Sequence, residues 1–508
     1  MRIRLGCLPS TLVFLTQIAI LIQWTTRLAN AEQCRLQLHR NGDLDPPVNG
    51  GNNIPTNGTY TDGGPTATIL ATSTSTSTSP SMTPVTPFNY SRDKVRGVNL
   101  GGWLVLEPWI TPSFFERTGN SDIIDEYTLG QLLDRGTAQD MLKQHWESVC
   151  VHNITSRSGS VSFSDASWPQ WITEDDFIAM KAAGLNHVRI PLGYWSVPMT
   201  SDDTAYSTSP DPYIPGAWTY LLRGLNWAKK HGIHVIVDLH GAPGSQNGYD
   251  NSGQKTGNPQ WALGGDNVAR TVDTLRFIAA NAGGLIDVLE LLNEAAGFRG
   301  DDWAAAIRKF WLDAYDAVRA AAGDRMKVMI GDAFLGVNSW TNFLVPPRGH
   351  DVLMDFHEYQ IFSDGELDRS TDDHIRFACQ YNNVLPAFAG GNIWTIVGEW
   401  SNAVTDCARW LNGRNVGARW DNTYSTTGGR HHGSCSGYTG SYTNFSDAYK
   451  EVLRRYFEVQ IEIGERVQGW VFWTWKAEEA DEWSYQKGLE GGWIPRDPTD
   501  RKYPNICS

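Results

Sequence analysis

The stretch from residue 187 to residue 294 decides the fold, because three short apolar runs follow one another in it: HVRIP at 187–191, HVIVDLH at 234–240 and VLELLNE at 288–294. A longer helical pattern, Trp218 to His231, lies between the first two runs. Short strands that alternate with helices are typical of a parallel sheet rather than a sandwich. Each run is almost continuously apolar, as strands buried on both faces are.

Five further runs extend this alternation along the chain. They are VRGVNL at 95–100, KVMIG at 327–331, VLMDFHEY at 352–359, WTIVGEW at 394–400 and WVFWTW at 470–475. Helical patterns occupy residues 302–321 and 446–463 between them. Eight strands in this order predict an α/β fold with one (β/α)8 TIM barrel, and a barrel with insertions reaches the length of this chain.

The composition narrows the class of partner. The 508 residues are 41% hydrophobic and 19% charged, which is typical of a globular protein with a sizeable core. The formal net charge of −14 would repel the phosphates of a nucleic acid or an anionic membrane surface, so neither is expected as a partner. A neutral substrate fits better. The 22 Trp and 18 Tyr offer flat faces for sugar rings, although any single ring more often fills a core.

Residues 1–31 are predicted to be a signal peptide. The segment begins with Arg2 and Arg4, is mostly apolar from Leu12 to Ile22, and ends in the small-x-small sequence Ala29-Asn30-Ala31. The protein is therefore expected to be secreted, to the extracellular space or the cell wall. It would attach to a membrane only if this segment stayed uncleaved.

Residues 32–93 are predicted to be a disordered, Ser/Thr/Pro/Gly-rich linker. The part from residue 41 to residue 87 is rich in these residue types and cannot bury enough apolar surface to order itself. The catalytic domain is expected to occupy residues 94–508, as a monomer.

Cysteine usage suits an oxidising compartment. Removal of Cys7 with the signal peptide leaves an even six, so three disulfides are possible. The spacing lacks the CxxC pairs of zinc sites, and no metal is expected. Four sequons are compatible with a secretory route: Asn57, Asn89, Asn153 and Asn444.

Two carboxylates stand where predicted strands stop. Glu294 ends the fourth run and Glu399 the seventh, and the C-terminal strand ends of a barrel meet at the face that carries catalysis. Hydrolysis of a glycosidic bond needs one protonated carboxyl for the leaving oxygen and one ionised carboxylate to attack or to activate water. Either residue alone would more often be a solvated or ion-paired glutamate. Together they indicate a glycoside hydrolase.

Cationic and polar residues at other strand ends support the pair. Arg189 is permanently charged and is expected to lower the pKa of Glu399. His357 and Tyr359 lie one pleat apart on the sixth strand and are placed to reach the oxygens of Glu399 or the sugar ring.

Two more polar residues at strand ends are candidates for sugar contacts. Asn293 precedes Glu294 and is placed to bind the sugar 2-OH, a contact that strengthens in the transition state. His240 is a candidate for another sugar hydroxyl, although a histidine at a strand end is more often structural.

The motifs around these residues resemble a known family. Asn293-Glu294 and Gly398-Glu399-Trp400 resemble the catalytic motifs of glycoside hydrolase family 5. Longer motifs resemble the fungal exo-β-1,3-glucanases of that family: GVNLGGWLVLEPWITPSFFE at 97–116, HVRIPLGYW at 187–195, DLHGAPGSQNGYDNSG at 238–253 and FWTWKAE at 472–478. The resemblance covers about Val95 to Cys507 and leaves the linker outside.

The resemblance implies a role for each matching residue. Glu294 would be the acid/base and Glu399 the nucleophile of a retaining reaction that needs no metal or cofactor. Six residues would surround the −1 sugar: Glu107, Arg189, His240, Asn293, His357 and Tyr359. Trp473 or Trp475 would form the platform beneath that sugar, and the sequence leaves the choice open.

An aromatic pair, Tyr249 and Phe362, would gate the +1 site. Tyr249 stands where the family usually has Phe, so its hydroxyl is expected to alter how an acceptor sugar is held. Ala295 stands where Pro is usual, which leaves the turn after Glu294 less rigid.

The resemblance also implies the disulfides Cys379–Cys507 and Cys407–Cys435. Cys34 and Cys150 lie outside the family pattern, and only the even count suggests that they pair.

The expected function is a retaining exo-β-1,3-glucanase that releases glucose from the ends of β-1,3-glucan. Two alternatives remain open. A β-glucosidase of the same family acting on β-1,6-glucan or a glucosylated lipid would share the −1 residues. A catalytically inactive glucan-binding wall protein would keep the sugar site, but the presence of both glutamates weighs against it.

Overall fold

The computed structural model describes residues 87–147, 170–198, 211–425 and 429–508. The predicted signal peptide, the predicted linker as far as residue 86 and the suggested pair Cys34–Cys150 lie outside these residues. Within the described ranges, no helix combines the length and hydropathy that a membrane span requires.

Eight parallel strands form a closed barrel in which each strand pairs with the next and the last pairs with the first. The strands are β1 (Val95–Asn99), β2 (His187–Gly193), β3 (His234–Gly241), β4 (Val288–Glu290), β5 (Lys327–Gly331), β6 (Val352–Glu358), β7 (Trp394–Trp400) and β8 (Gly469–Phe472). The predicted (β/α)8 barrel is confirmed.

Helices occupy most of the connections. The described residues include α1 (Pro112–Arg117), α2 (Glu126–Leu132), α3 (Arg135–Trp146), α4 (Glu174–Ala182), α5 (Trp218–His231), α6 (Asn267–Ala282), α7 (Asp301–Ala322), α8 (Asp364–Leu367), α9 (Thr371–Cys379), α10 (Tyr381–Gly391), α11 (Asp447–Arg466) and α12 (Tyr485–Gly491). The three helical patterns found in the sequence correspond to α5, α7 and α11.

Local sequence explains where these helices stop and start. Gly232 follows α5 with φ +66°, a left-handed conformation that ends a helix and that glycine adopts without strain. Ser446 precedes α11, and its side chain accepts a hydrogen bond from the backbone N–H of Tyr449.

The inward face of the barrel is layered, because side chains two residues apart on a strand share a face. An apolar cluster includes residues from seven strands: Val95, Ile236, Val288, Met329, Leu353, Ile396 and Val471. Two residues further along, three of these strands carry buried acids: Asp238, Glu290 and Asp355. A second step of two residues reaches the mouth at His240 and His357.

Two predicted strand ends were wrong. The run at 288–294 forms a strand only as far as Glu290, and the run at 470–475 only as far as Phe472. Leu291 N–H still donates to Met329 O and Asn293 N–H to Leu239 O, but Glu294 has φ +47° and turns the chain out of the ladder. Glu294 therefore lies in the turn after β4 rather than on the strand.

Two disulfides are present in the described residues. Cys379 is bonded to Cys507 and Cys407 to Cys435, with S–S distances of 2.09 and 2.03 Å. Both pairs implied by the family resemblance are confirmed.

Candidate active site

A bulge in β7 turns Glu399 toward the barrel interior. Ile396 and Gly398 already face inward at a spacing of two, and the next residue of a regular strand would face outward. The register with β6 shifts here, so that Phe356 pairs with Val397 and His357 pairs with Glu399. Gly398 makes this fit possible, since a Cβ at this position would lie 1.9 Å from Asp355 Oδ1.

Glu399 is held by two donors at the mouth of the barrel. Arg189 Nη1 donates to its Oε1 at 2.7 Å, and the Tyr359 hydroxyl donates to its Oε2 at 3.0 Å. Burial raises the pKa of Glu399, and the charges of His357 and Arg189 offset only part of that rise. The expected contacts of Arg189 and Tyr359 are present and Arg189 lowers the pKa of Glu399 as expected, but burial outweighs it.

Glu294 faces Glu399 from the turn after β4. Asn251 Nδ2 donates to its Oε2 at 2.9 Å, and His357 Nδ1 lies 3.0 Å from its Oε1. Burial alone would raise the pKa of Glu294, but the hydrogen bond and charge of His357 and the hydrogen bond of Asn251 outweigh it, so the pKa is lowered. Without substrate, the pKa of Glu294 is therefore lowered and that of Glu399 is raised.

His357 contacts both glutamates and favours the charged form of each. The sequence predicted it beside Glu399, yet its Nδ1 is 3.5 Å from Glu399 Oε2 and closer to Glu294. An oxygen of Glu294 lies within 4.8 Å of an oxygen of Glu399. Retaining glycosidases have their carboxyl groups about 5–5.5 Å apart and inverting ones about 6.5–9.5 Å. The separation fits the retaining arrangement.

Arg189 is fully buried and organises the layer beneath the mouth. Its Nε donates to Glu290 Oε2 at 2.7 Å, and its Nη2 lies 3.1 Å from Asp238 Oδ2 and donates to Asn293 Oδ1 at 2.9 Å. The sequence reasoning missed Asn99, Asp238, Glu290 and Asp355 in this layer. The three acids follow the apolar layer by two residues on strands otherwise rich in aliphatic residues, and that position was the signal that could have found them.

Three of the predicted sugar contacts line the mouth. Glu107 is buried and accepts a hydrogen bond from Trp109 Nε1 at 2.9 Å, and burial raises its pKa well above its usual range. His240 Nδ1 lies 2.5 Å from Asp238 Oδ2. Its Nε2 lies 3.4 Å from Asn293 Nδ2, which links these two residues at the face of the site.

The structure separates the two candidate platform tryptophans. Trp473 stacks on His240, with ring centroids 5.5 Å apart and an interplanar angle of 12°. Trp475 is 1% exposed, donates its indole N–H to Asp176 at 2.8 Å and stacks on Tyr485. The assignment of Trp475 to the sugar site is therefore replaced by a role in the core, and Trp473 remains the platform candidate.

The two predicted gate residues are exposed aromatics. Tyr249 and Phe362 are 45% and 44% exposed, and Phe362 packs edge-on against Tyr359 at 5.8 Å. Burial raises the pKa of Tyr249, and the charge of Glu294 adds to that rise. The sequence reasoning passed over Asp250, which follows Tyr249. Its Oδ2 is buried and accepts no hydrogen bond from the described residues.

Comparison with known proteins places the chain among carbohydrate-active enzymes. The family model of Cellulase (glycosyl hydrolase family 5) matches residues 149–421. The glucan 1,3-beta-glucosidase of Blumeria graminis is 40% identical over 427 residues, which cover 83% of this chain and 91% of that protein. The glucan 1,3-beta-glucosidase 2 of Wickerhamomyces anomalus is 39% identical over 431 residues, with coverage of 83% and 92%.

Among solved structures, the rutinosidase from Aspergillus niger matches with a TM-score of 0.58 and 18% identity, over 80% of this chain and 100% of that chain. At this level of identity the match supports the barrel fold alone.

Proposed function

This chain belongs to glycoside hydrolase family 5, and from that premise we propose that it is a retaining exo-β-1,3-glucanase that releases glucose from the ends of β-1,3-glucan. The observation that carries the mechanism is the pair Glu294 and Glu399, whose oxygens approach within 4.8 Å at the barrel mouth. The names of the fungal relatives supply the linkage and the exo mode of attack.

In the first step Glu399 attacks the anomeric carbon while Glu294 gives a proton to the leaving glucosidic oxygen. The bonds from Arg189 and Tyr359 hold the two oxygens of Glu399, so the nucleophile needs little reorganisation when it attacks. In the second step Glu294 takes a proton from water, which releases glucose from the glycosyl-enzyme with its β configuration retained.

Residues around the mouth recognise the −1 glucose. The face of Trp473 supports the apolar side of the ring, while Glu107, His240 and Asn293 are placed for its hydroxyls. Asp238 contacts His240 and Arg189 donates to Asn293, so His240 and Asn293 are oriented before the sugar binds. A neutral sugar suits this site because the cation beneath the mouth, Arg189, already contacts four carboxyl groups of the barrel.

Secretion and a monomeric state are part of the proposal. The two disulfides are typical of proteins that fold in an oxidising compartment. Two predicted glycosylation sites among the described residues, Asn89 and Asn444, are exposed.

The test is a time course of products from laminarin, a β-1,3-glucan. Exo action gives glucose as the first product, whereas mixed oligosaccharides at early times would contradict it. Proton NMR of the first product follows the anomer, and β-glucose is expected; initial α-glucose would overturn the retaining mechanism. Parallel incubations with a β-1,6-glucan and a glucosylated lipid test the linkage, and faster turnover of either would reassign the substrate.

A further inference from the structure

His357 lies between three carboxyl groups, and this geometry limits the protons its ring can carry. Nδ1 is 3.0 Å from Glu294 Oε1 and 3.5 Å from Glu399 Oε2, and Nε2 is 3.0 Å from Asp355 Oδ2. A neutral imidazole has one N–H and one lone pair. With carboxylates on both sides, a neutral ring would direct that lone pair at a carboxylate oxygen, unless the facing carboxyl itself carries the proton.

The hydrogen bond between His357 and Glu294 therefore has two forms with the same total charge. In one form the ring is an imidazolium and Glu294 is a carboxylate. In the other form the ring is neutral and Glu294 is a carboxylic acid. The two forms differ by the movement of one proton across the 3.0 Å from Nδ1 to Oε1.

The charges around the ring favour the first form while no sugar is bound. Burial alone would lower the pKa of His357, but Glu399 and Asp355 raise it well above its usual range. The same contact lowers the pKa of Glu294. Both observations agree with the count of acceptors around the ring.

We propose that His357 holds the catalytic proton in the free enzyme and passes it to Glu294 when a glucoside occupies the site, with Asp355 as the residue that keeps the ring oriented and charged. The proposal rests on the proposed function and deepens it. His357 acts through Glu294 and is in this sense a positioning residue for the proton.

The proton count closes over one catalytic cycle. A bound sugar excludes water from the mouth, which favours neutral partners over an ion pair. The imidazolium N–H bond then breaks and the O–H bond of Glu294 forms, which leaves a neutral ring and a carboxylic acid. Glu294 gives that proton to the leaving oxygen, takes one back from the attacking water, and returns it to Nδ1 of His357 when glucose departs.

Other charged groups approach the ring from the neighbouring strands. Beyond its three partners, Glu290 on β4 and Asp332 after β5 lie near the ring. Arg189 on β2 contacts Asp355, and His240 at the end of β3 acts on Glu294. Arg189 contacts both Asp355 and Glu399, at 3.7 and 2.7 Å, and so moderates their pull on the ring. Burial raises the pKa of Asp332 to about 6, so this carboxyl group gains a proton only in mildly acidic solution.

The first test reads the ring directly in the free protein. Histidine labelled with nitrogen-15 gives separate NMR signals for protonated and unprotonated ring nitrogens, and a His357→Gln variant assigns the signal. We expect both nitrogens of His357 to be protonated at neutral pH. A neutral ring with a single N–H in the free wild-type protein would overturn the proposal, whatever substrate the enzyme acts on.

The second test uses Asp355→Asn, which keeps the size of the side chain and removes its charge. Loss of a negative charge beside an imidazolium makes the pair release its proton at lower pH, so the basic limb of the kcat/KM profile on laminaribiose should move down by about 1–3 pH units. A purely structural role would lower activity without moving the limb, and that result would contradict the proposal.

A matched control removes a carboxylate from a histidine on the surface. Asp324 contacts His350 at 2.8 Å, and both are exposed. Asp324→Asn should leave the limb where it is, and a shift of equal size there would contradict a local effect at His357. Turnover of an aryl β-glucoside by the wild-type protein reports separately on the proposed function. Failure of that function can therefore be distinguished from failure of the proposal that His357 holds the catalytic proton.

Discussion

The two ends of the barrel interior are lined by different side chains, apolar at one end and charged at the other. The lower layer is apolar and buried, with Ile236, Met329 and Ile396 among its members. Two residues along the same strands, the interior becomes a buried network in which Arg189 contacts four carboxyl groups. The lower end fills space without polar groups, whereas the upper end keeps charged groups out of water around Arg189.

This difference separates stability from chemistry along a single strand. Apolar burial is non-directional and tolerates changes of shape, so the lower layer contributes mainly to the free energy of unfolding. A buried ion network is costly to assemble and contributes less to stability, but it fixes directions and protonation states. We therefore expect substitutions at the two ends to change different measurements.

The largest effect is expected at the two glutamates. Glu399→Ala removes the nucleophile and should lower kcat on the order of 10⁴-fold or more. Glu294→Ala removes the proton donor and should lower turnover of poor leaving groups by about 10²–10⁴-fold, while activated aryl glucosides still form the glycosyl-enzyme. Neither change touches the apolar layer.

Added azide distinguishes the two roles. With Glu294→Ala, azide attacks the glycosyl-enzyme and the product is the β-glucosyl azide. With Glu399→Ala, azide attacks the β-substrate directly and the product is the α-azide. The reverse pattern of anomers would exchange the assignments, and unimpaired hydrolysis in both variants would mean that the site lies elsewhere.

A pair of substitutions on β3 tests whether the apolar layer and the charged mouth have different roles. Ile236→Ala in the apolar layer should lower the free energy of unfolding by about 2–5 kcal/mol and leave kcat/KM near the wild-type value. His240→Ala, four residues further on, should lower kcat/KM by roughly 5–150-fold, the effect of one lost polar contact to the sugar. Denaturant unfolding and kinetics on laminaribiose are measured for each variant. If either substitution changed stability and kcat/KM to the same extent, the two layers would not differ in role.

Substitutions of Trp473 and Trp475 test the same difference between site and core in residues that follow β8. Trp473→Ala should raise KM for aryl β-glucosides and laminaribiose, because the −1 sugar loses its platform. Trp475→Phe should leave KM unchanged and lower the free energy of unfolding, since its indole N–H is bonded to Asp176 in the core. A raised KM in the Trp475 variant with normal stability would return that residue to the site.

Sequence reasoning located most of the barrel because strand burial leaves a one-dimensional signal. The runs at 327–331 and 394–400 coincide with β5 and β7, since apolar periodicity records burial directly. The end of β4 was missed because tertiary structure sets the left-handed turn at Glu294, and the local apolar pattern does not show it. The pairing of the cysteines came from resemblance to a family rather than from spacing.

The site was predicted residue by residue but not in its contacts. Strand ends identified Glu294, Glu399 and Arg189, because topology brings those ends together. The bulge at Gly398 sets which carboxyl His357 contacts most closely, and a shift of one residue in register depends on packing between strands. That is why the sequence placed His357 beside Glu399 although its Nδ1 lies closer to Glu294.

The smallest effect is expected at the rim, at Tyr249, where the family resemblance implies a Phe. Tyr249→Phe removes one hydroxyl from a side chain that is 45% exposed, so the free energy of unfolding should change by no more than about 0.5 kcal/mol. The resemblance places the hydroxyl at the +1 site, so hydrolysis of aryl β-glucosides should be almost unaffected. A hydrogen bond to an acceptor sugar contributes about 0.5–1.5 kcal/mol, which predicts a change of up to roughly tenfold in KM for laminaribiose or in the ratio of transfer to hydrolysis.

Kinetics on both substrates, with product ratios at high laminaribiose, check this prediction for Tyr249→Phe. Phe362→Leu serves as the matched change on the other side of the gate. A loss of aryl glucoside turnover comparable to that of His240→Ala would place the Tyr249 hydroxyl at the reacting sugar, and the division between a reactive mouth and a permissive rim would then fail.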